Sequence, residues 1–329
     1  MLINELYTQD FWREGRYAPE YDEFVTKAFA DNSKVVQAQQ FVPVGSKLGS
    51  GKLGKVFEVI TDEGGMSPSR EFFGDVDSQV AEGTPVTVFM GINSEKIAYD
   101  KGQVGTQGYA EHDRQLNMGI ARLQKTFTYK LFNADTNETM ANGKRYEFDG
   151  YRKYFENNPE QVDNETLVLG DFYASPNLRY IANDKLNSVN KLIDVNGDSA
   201  DIIYTTTKGA AILAALESEK TAYVGPYKFT QNVQTYNGLP VVSIPDSCVP
   251  AMWRNRGEFV LFANQDKEQG CRVMVPDNGN LIVTYAESDT GFQKHIPMDM
   301  IFALVAVNPK AASLCFVQRG TPGDPGIEG

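Results

Sequence analysis

The spacing of apolar residues changes period several times along the chain, and each change marks an element. The most regular stretch is GYAEHDRQLNMGIARLQKTFTYKLFNAD, where Leu116, Ile120, Leu123, Phe127 and Leu131 fall at i, i+4, i+7, i+11 and i+15. One continuous stripe at that spacing predicts a helix over about 109–132, roughly 35 Å long at 1.5 Å per residue. Glu111 and Asp113 sit near its start, where the helix dipole favours anions. Arg114, Arg122, Lys125 and Lys130 share the rest of its surface. Gly119 in its interior costs about 1 kcal/mol against Ala, so close packing against that face is expected.

Upstream, EYDEFVTKAFAD places Phe24, Val25, Ala28 and Phe29 at helical spacing, preceded by Tyr7, Phe11 and Trp12 on a charged background. So little apolar surface cannot fold alone and must dock on the main body or on a neighbour. FVPV, KVFEVIT and TPVTVFMGI read as strands rich in β-branched and aromatic residues. The connectors GSKLGSGKLGK, DEGGMSPSREFFGD and DVDSQVAEGTP are long and rich in Gly, Ser, Asp and Pro. A compact domain rarely keeps such loops without a function, so 41–95 reads as a protruding, hairpin-like extended loop. After the turn DTNETMANGK and the stretch YEFDGYRKYFENN, the periods alternate. NDKLNSVNKLID is helical, with Leu186, Val189 and Leu192/Ile193 on one face; ADIIYTTT is a buried strand and TKGAAILAALESE a second helix. NGLPVVSIPD is a strand entered through a turn, and EFVLFAN, CRVMVPD, LIVTYAE, MIFALVAVN and SLCFVQ are further strands. The tail TPGDPGIEG suits neither helix nor sheet. The fold class is α+β.

A length of 329 residues suggests about two domains or one large one. The net charge of −12 argues against a dedicated nucleic-acid binder, which presents a basic face. With 41% hydrophobic and 22% charged residues the chain is globular rather than disordered. No segment reaches the ~20 apolar residues of a membrane helix. The longest candidate, Met298–Val307, is half that and holds Asp299, and the start MLINELYTQDFW lacks a signal-peptide pattern. Cys248, Cys271 and Cys315 are far apart and odd in number, which is neither a disulfide framework nor a zinc spacing; a reducing compartment fits them.

Motifs of catalysis are scarce. Two histidines, His112 in EHDRQ and His295 in QKHIP, leave little for a histidine triad or a multi-histidine metal site. His112 is expected as a polar residue of a helix first turn, and His295 as a surface residue just before a strand. VGSKLGSGKLGK misses the phosphate-loop spacing: Ser46 stands five residues before Gly51, Leu53 follows Lys52, and KVFEVIT reads as strand. A basic, glycine-rich loop is the better reading. DVNGDSAD places Asp194, Asn196 and Asp198 alternately, but Ser199 and Thr205 stand where a calcium loop needs Gly and Glu, so a turn is expected. Cys248, in IPDSCVP, reads as a buried small hydrophobe. No cofactor or metal is implied. Carboxylates are plentiful, yet nothing selects a pair for hydrolysis.

The order of parts resembles a known family, the tailed-phage major capsid protein of the Hong Kong 97-type fold. EHDRQLNMGIARLQKTFTYKLFNAD looks like its long spine helix. KRYEFDGYRKYF is similar to the Phe-Asp-Gly-Leu stretch that comes after that helix, with Tyr151 in place of Leu. LNSVNKLIDVNGDSADIIYTTTKGAAILAAL and YNGLPVVSIPD are similar to its helix–strand–helix and Tyr-x-Gly-x-Pro-Val strand. The resemblance covers most of residues 40–318. It implies an N-terminal arm (1–40), the extended loop (41–95), a peripheral domain (96–150 and 296–318), an axial domain (151–295) and a flexible tail (319–329).

The same resemblance implies a structural, non-enzymatic role. Copies would form hexamers and pentamers that tile an icosahedral phage head around double-stranded DNA, without sequence-specific binding and without a membrane. The loop would lie over one neighbour and the arm would reach another. Trp12 of the arm, Lys47, Lys52, Lys55, Arg70, Phe72 and Phe73 of the loop, and Arg122 of the helix are the candidate assembly-interface residues. The loop's basic residues would pair with acidic patches on neighbours or keep the loop soluble. Portal, scaffolding and decoration proteins are the implied partners, the virion the location, and the host cytoplasm the place of assembly. Some members carry a long charged N-terminal scaffold that is cleaved off; its absence here implies a separate scaffolding protein or maturation without that cleavage. The alternatives are an encapsulin-like shell, another structural protein, or an α+β hydrolase using a carboxylate pair.

Overall fold

The computed structural model describes residues 27–47, 53–62, 82–102, 110–140, 143–169, 176–217, 233–277, 281–285 and 288–319, with Val25, Phe229 and Gly279. In chain order the elements are α1 (Lys34–Gln37), β1 (Phe41–Lys47), β2 (Leu53–Asp62), β3 (Glu82–Phe89), β4 (Gly91–Asp100), α2 (Ala110–Asn133), α3 (Tyr151–Asn157) and β5 (Val162–Leu169). Next come α4 (Pro176–Asn190), β6 (Ile202–Thr206), α5 (Thr207–Leu216), β7 (Gln234–Tyr236), β8 (Leu239–Ile244) and α6 (Ala251–Arg254). The chain then runs through β9 (Glu258–Ala263), β10 (Cys271–Pro276), β11 (Ile282–Thr284), β12 (Ser288–Thr290), β13 (Gln293–Ala306) and β14 (Ala312–Arg319).

Two mixed sheets result. One has the order β11-β13-β10-β1-β2-β3, with β12 and β4 also on β13; the other has the order β5-β14-β9-β6-β8-β7. The 14 residues of β13 serve several partners at once. It pairs β4 from Gln293↔Asp100 to Phe302↔Gly91, carries β11 and β12 on its other edge, and meets β10 at its far end.

Helix α2 joins the two sheets. All five residues of its stripe are buried. Near its start it lies so close to β4 that a Cβ on Gly119 would overlap the Ile97 side chain. Midway, the Phe127 ring stands 4.6 Å from Phe302 of β13 and 6.4 Å from Phe41 of β1. One and a half turns on, Phe132 stands 5.7 Å from Tyr204 of β6 and 6.1 Å from Phe259 of β9. The buried side of the helix therefore packs on both sheets within one continuous core, and its length reflects that span.

The Phe-Asp-Gly stretch finishes α2. Phe148 packs on Phe302 at 5.2 Å, Asp149 accepts from the Thr136 amide at 2.8 Å, and the Gly150 amide donates to Ala134 O at 2.8 Å. The last carbonyls of a helix run short of amide partners; the Ala134 amide closes on Lys130 O at 3.0 Å, and Gly150 lies directly over that carbonyl and its neighbour. A Cβ there would sit 2.7 Å from Leu131 O and 2.8 Å from Lys130 O. Gly150→Ala therefore forces backbone apart. We expect a loss of about 1–3 kcal/mol, seen as a lower urea midpoint at unchanged slope.

Two turns behave as their residues require. Asn237 and Gly238, at φ 49° and 80°, make the tight β7–β8 hairpin. Asn196 and Gly197, at 56° and 82°, turn the chain after α4, and Asp194 accepts from the Gly197 amide at 3.3 Å. DVNGDSAD is thus a turn. Among the described residues no three His, Cys, Asp or Glu side chains gather as metal ligands, and no helix is long and apolar enough to cross a membrane.

Several expectations are narrowed or corrected. Residues 27–40, with Val25, dock on the main body, one of the two seats expected for them: Val25, Phe29, Ala30 and Val36 are fully buried, and Gln124 on α2 donates to Phe29 O at 2.8 Å. TPVTVFMGI is two strands, broken at Met90, so β4 leaves the loop and joins β13. Strands β10, β11 and β12 lie beside β13 in one sheet, while β14 joins the other. Ile193 is buried although α4 ends at Asn190, because the turn folds it back. Strand β5, parallel to β14, had no alternation to reveal it. His295 is buried within β13 rather than on the surface. The tail 320–329 lies outside the described residues.

Candidate assembly surface

Hairpin β2–β3 leaves much of its described surface in water. It pairs from Gly54↔Phe89 out to Asp62↔Glu82. It is tied to the body by two β1–β2 pairs, Ser46↔Gly54 and Lys47↔Leu53, and by the Met90 amide on Leu53 O at 2.9 Å. Phe57 anchors its base, buried beneath the Arg272 guanidinium at 5.5 Å. Around and beyond that anchor Thr84, Pro85, Val86 and Thr87 are exposed, as is Val56. Strand β3 ends the sheet, and Pro85 blunts that edge by removing one donor.

The base is held by a buried amide–phenol knot. Gln39 and Gln265 each donate to the Tyr204 hydroxyl at 2.6 Å, and the Gln40 amide donates to Gln265 Oε1 at 2.7 Å. Burial pushes the Tyr204 phenol far up, so it stays protonated. The knot pins the residues entering β1 to the sheet that holds β6 and β9, which fixes the direction in which the hairpin leaves.

Of the candidate interface residues, Trp12, Lys52, Arg70, Phe72 and Phe73 lie outside the described residues. Lys47 closes β1, opposite Leu53. Lys55, on β2, holds its ammonium 5.6 Å from the Phe57 ring centre. Arg122 is exposed on α2 and forks onto Glu95 Oε1 at 2.6 and 2.9 Å. Exposed ion pairs are worth about 0–1 kcal/mol, so Arg122→Ala is expected to leave the thermal midpoint nearly unchanged by calorimetry. Any loss of self-association in that variant then reports a contact rather than a folding defect.

Exposed apolar side chains were invisible in the sequence. Ile92 on β4, Tyr180 on α4, Met252 on α6 and Phe292 at the β12–β13 turn all face outward, Phe292 at 84% exposure. Large apolar groups left in water mark interaction surfaces when they cluster. Their period matches that of core residues, so only the packed fold separates them.

Reactive groups are hidden. Cys248, Cys271 and Cys315 are free and buried, and burial raises each thiol. His112 lies in the first turn of α2 as expected but is buried, its ring edge-on to Tyr99 at 4.9 Å. Desolvation lowers Lys130 although Glu147 stands 3.7 Å away. Burial, chiefly, takes the neighbouring Tyr146 up to about 12.

No family model and no curated protein matches the sequence. Solved structures match its shape. A chain of the holo-SrpI encapsulin complex from Synechococcus elongatus is 12% identical, with 86% of each chain covered, at a TM-score of 0.53. A chain of the satellite phage P4 procapsid is 14% identical, covering 90% of this chain and 99% of its own, at 0.51. A chain of the capsid of a native GTA particle is 10% identical, with 94% of each covered, at 0.51.

Proposed function

We propose that this chain, which has the Hong Kong 97-type capsid fold, is a shell-forming structural protein, the major capsid protein of a tailed-phage head. Copies associate into hexamers and pentamers that close an icosahedral shell around double-stranded DNA. The observation that carries the reading is the extent of the match. Nearly the whole chain superposes on subunits from a procapsid, a capsid particle and an encapsulin complex, and covers nearly the whole of each. A weakly tethered hairpin and outward apolar side chains add support, because obligate interfaces run to about 2,000–5,000 Å² and draw on such surface. A structural rather than catalytic role is supported by the shell subunits that the chain resembles. Portal, scaffolding and decoration proteins are the partners such a head would need, and the virion is its place.

Negative-stain electron microscopy after size-exclusion chromatography with light scattering tests this. Rings of five or six subunits, or closed shells, are expected. A 36.5 kDa monomer at high concentration, with and without a co-expressed scaffold, would overturn it. Nuclease-protected DNA inside the shells separates a phage head from an enzyme-packaging compartment.

A further inference from the structure

A cleft opens between α3 and α6, at the starts of strands β5 and β14. Phe155, Trp253 and Leu314 give it a buried apolar floor, and Met252, 50% exposed, stands at its mouth. Two guanidinium groups line it. Arg152 is already held by Asp135 and Glu138, at 3.0 and 2.8 Å. Arg256 instead lies 4.1 Å from the Phe316 ring centre and donates to Asn164 O at 2.6 Å; among the described residues no carboxylate pairs with it. Glu156, which also lines the cleft, meets Lys153 at 2.9 Å. An apolar floor beside an uncommitted guanidinium suits an aliphatic side chain with a carboxylate a few residues away.

The chain carries such a segment, and it starts next to the cleft. In the β9–β14 ladder Val317 faces Glu258, so β14 passes Arg256 as it ends at Arg319. Gly257, next to Arg256, lies so close that a Cβ on it would sit 2.8 Å from Val317 O. The sequence from there is GTPGDPGIEG. Strands β5 and β9 occupy both edges of β14, so the segment cannot extend that sheet as a hairpin but can lie on its face. Gly320 can reverse the chain without steric cost, and Pro322 and Pro325 fix φ, which reduces the entropy lost on ordering. Leu314, Phe316 and Gln318 alternate along β14 and share one face. Leu314 belongs to the floor of the cleft, and Phe316 seats Arg256. Leu314 stands five residues before Arg319, about 17 Å of strand. Residues 320–327 span up to about 26 Å, enough to reverse and reach it. We infer that residues 320–329 fold back over this face of their own chain, with Asp324 on Arg256 and Ile327 on the apolar floor. The segment is then a clasp that closes the cleft and keeps its apolar floor from other partners. It acts within a single subunit, so it stands or falls independently of the shell proposed above.

The test places the photo-cross-linker p-benzoylphenylalanine at position 252 of the full chain, in place of the exposed Met252. Light and heavy-isotope copies are mixed before irradiation, and the joined peptides are mapped by mass spectrometry. Cross-links from position 252 to residues 320–329, light to light and heavy to heavy only, are expected. Asp324→Arg should lower their yield several-fold, and so should Arg256→Asp. The double variant Arg256→Asp, Asp324→Arg should restore most of the yield, a recovery that a folding defect at Arg256 would not give. Cross-links that join light to heavy put the segment on another copy and overturn the inference. An absence of cross-links to 320–329 overturns it too, as does a yield that Asp324→Arg leaves unchanged.

Discussion

A chain in which residues 60–83 are replaced by Asn-Gly is expected to fold to a stable subunit that no longer closes into shells. The remaining ends are Val59 and Thr84, which already face each other as a ladder pair. A two-residue Asn-Gly turn bridges such a pair with the twist the strands require. Phe57, the buried anchor, is kept, and the neighbouring Thr84–Thr87 face is exposed. Few core contacts are therefore lost, and the urea midpoint should stay close to that of the parent. Assembly, in contrast, loses the outer rungs of the β2–β3 ladder and the segment that joins them. Electron microscopy should show subunits or small oligomers in place of closed particles. Closed shells of the shortened chain would show that the hairpin has no part in assembly.

The largest effect on stability is expected at Phe127. Its ring is fully buried and meets Phe29, Phe41 and Phe302, so it ties the segment before α1, strand β1 and strand β13 to the spine helix. Truncating a buried phenylalanine removes apolar area and leaves a cavity, at about 3–5 kcal/mol. That is a large share of the roughly 5–15 kcal/mol by which a folded domain is more stable than its unfolded state. Phe127→Ala should shift the urea midpoint far down. Tyr129→Ala, two residues along the same helix but 41% exposed, should stay within about 0.5 kcal/mol of the parent. Equal effects at the two positions would mean that the stripe does not face the core.

Local order was legible wherever one element met one environment. The stripe from Leu116 to Leu131 reads correctly because a helix that buries one face must repeat apolar residues near every 3.6 positions. Strand β6, Ile202–Thr206, reads correctly because its residues are all β-branched or aromatic, as a strand buried along its whole length favours. Reading failed where an element's environment came from distant sequence. VDNETLVL became strand β5 through parallel pairing with β14, some 150 positions away. His295 is buried because β13 carries β4 and β12 on its two edges there. Whether the arm would seat on the body or on a neighbour was likewise open, and Phe29 meeting Phe127 places its later part on the body.

The candidate surface was legible only in outline. Long glycine-rich connectors flagged the hairpin, since a compact body has little use for them. Which groups line its base, which apolar side chains stay in water and where a strand edge is left open could not be read. Each depends on what packs against it from elsewhere in the chain. The sequence by itself determined the α+β class, the spine helix, most of the strands, the turns at Asn196–Gly197 and Asn237–Gly238, and the scarcity of catalytic groups. These rest on local periodicity, turn chemistry and composition. The tertiary structure alone decided the two sheets and their membership, the Gly150 closure over α2, the Gln39–Tyr204–Gln265 knot and the cleft between α3 and α6. Those are long-range pairings, and residues far apart in the chain meet only when the burial of both lowers the free energy of the whole.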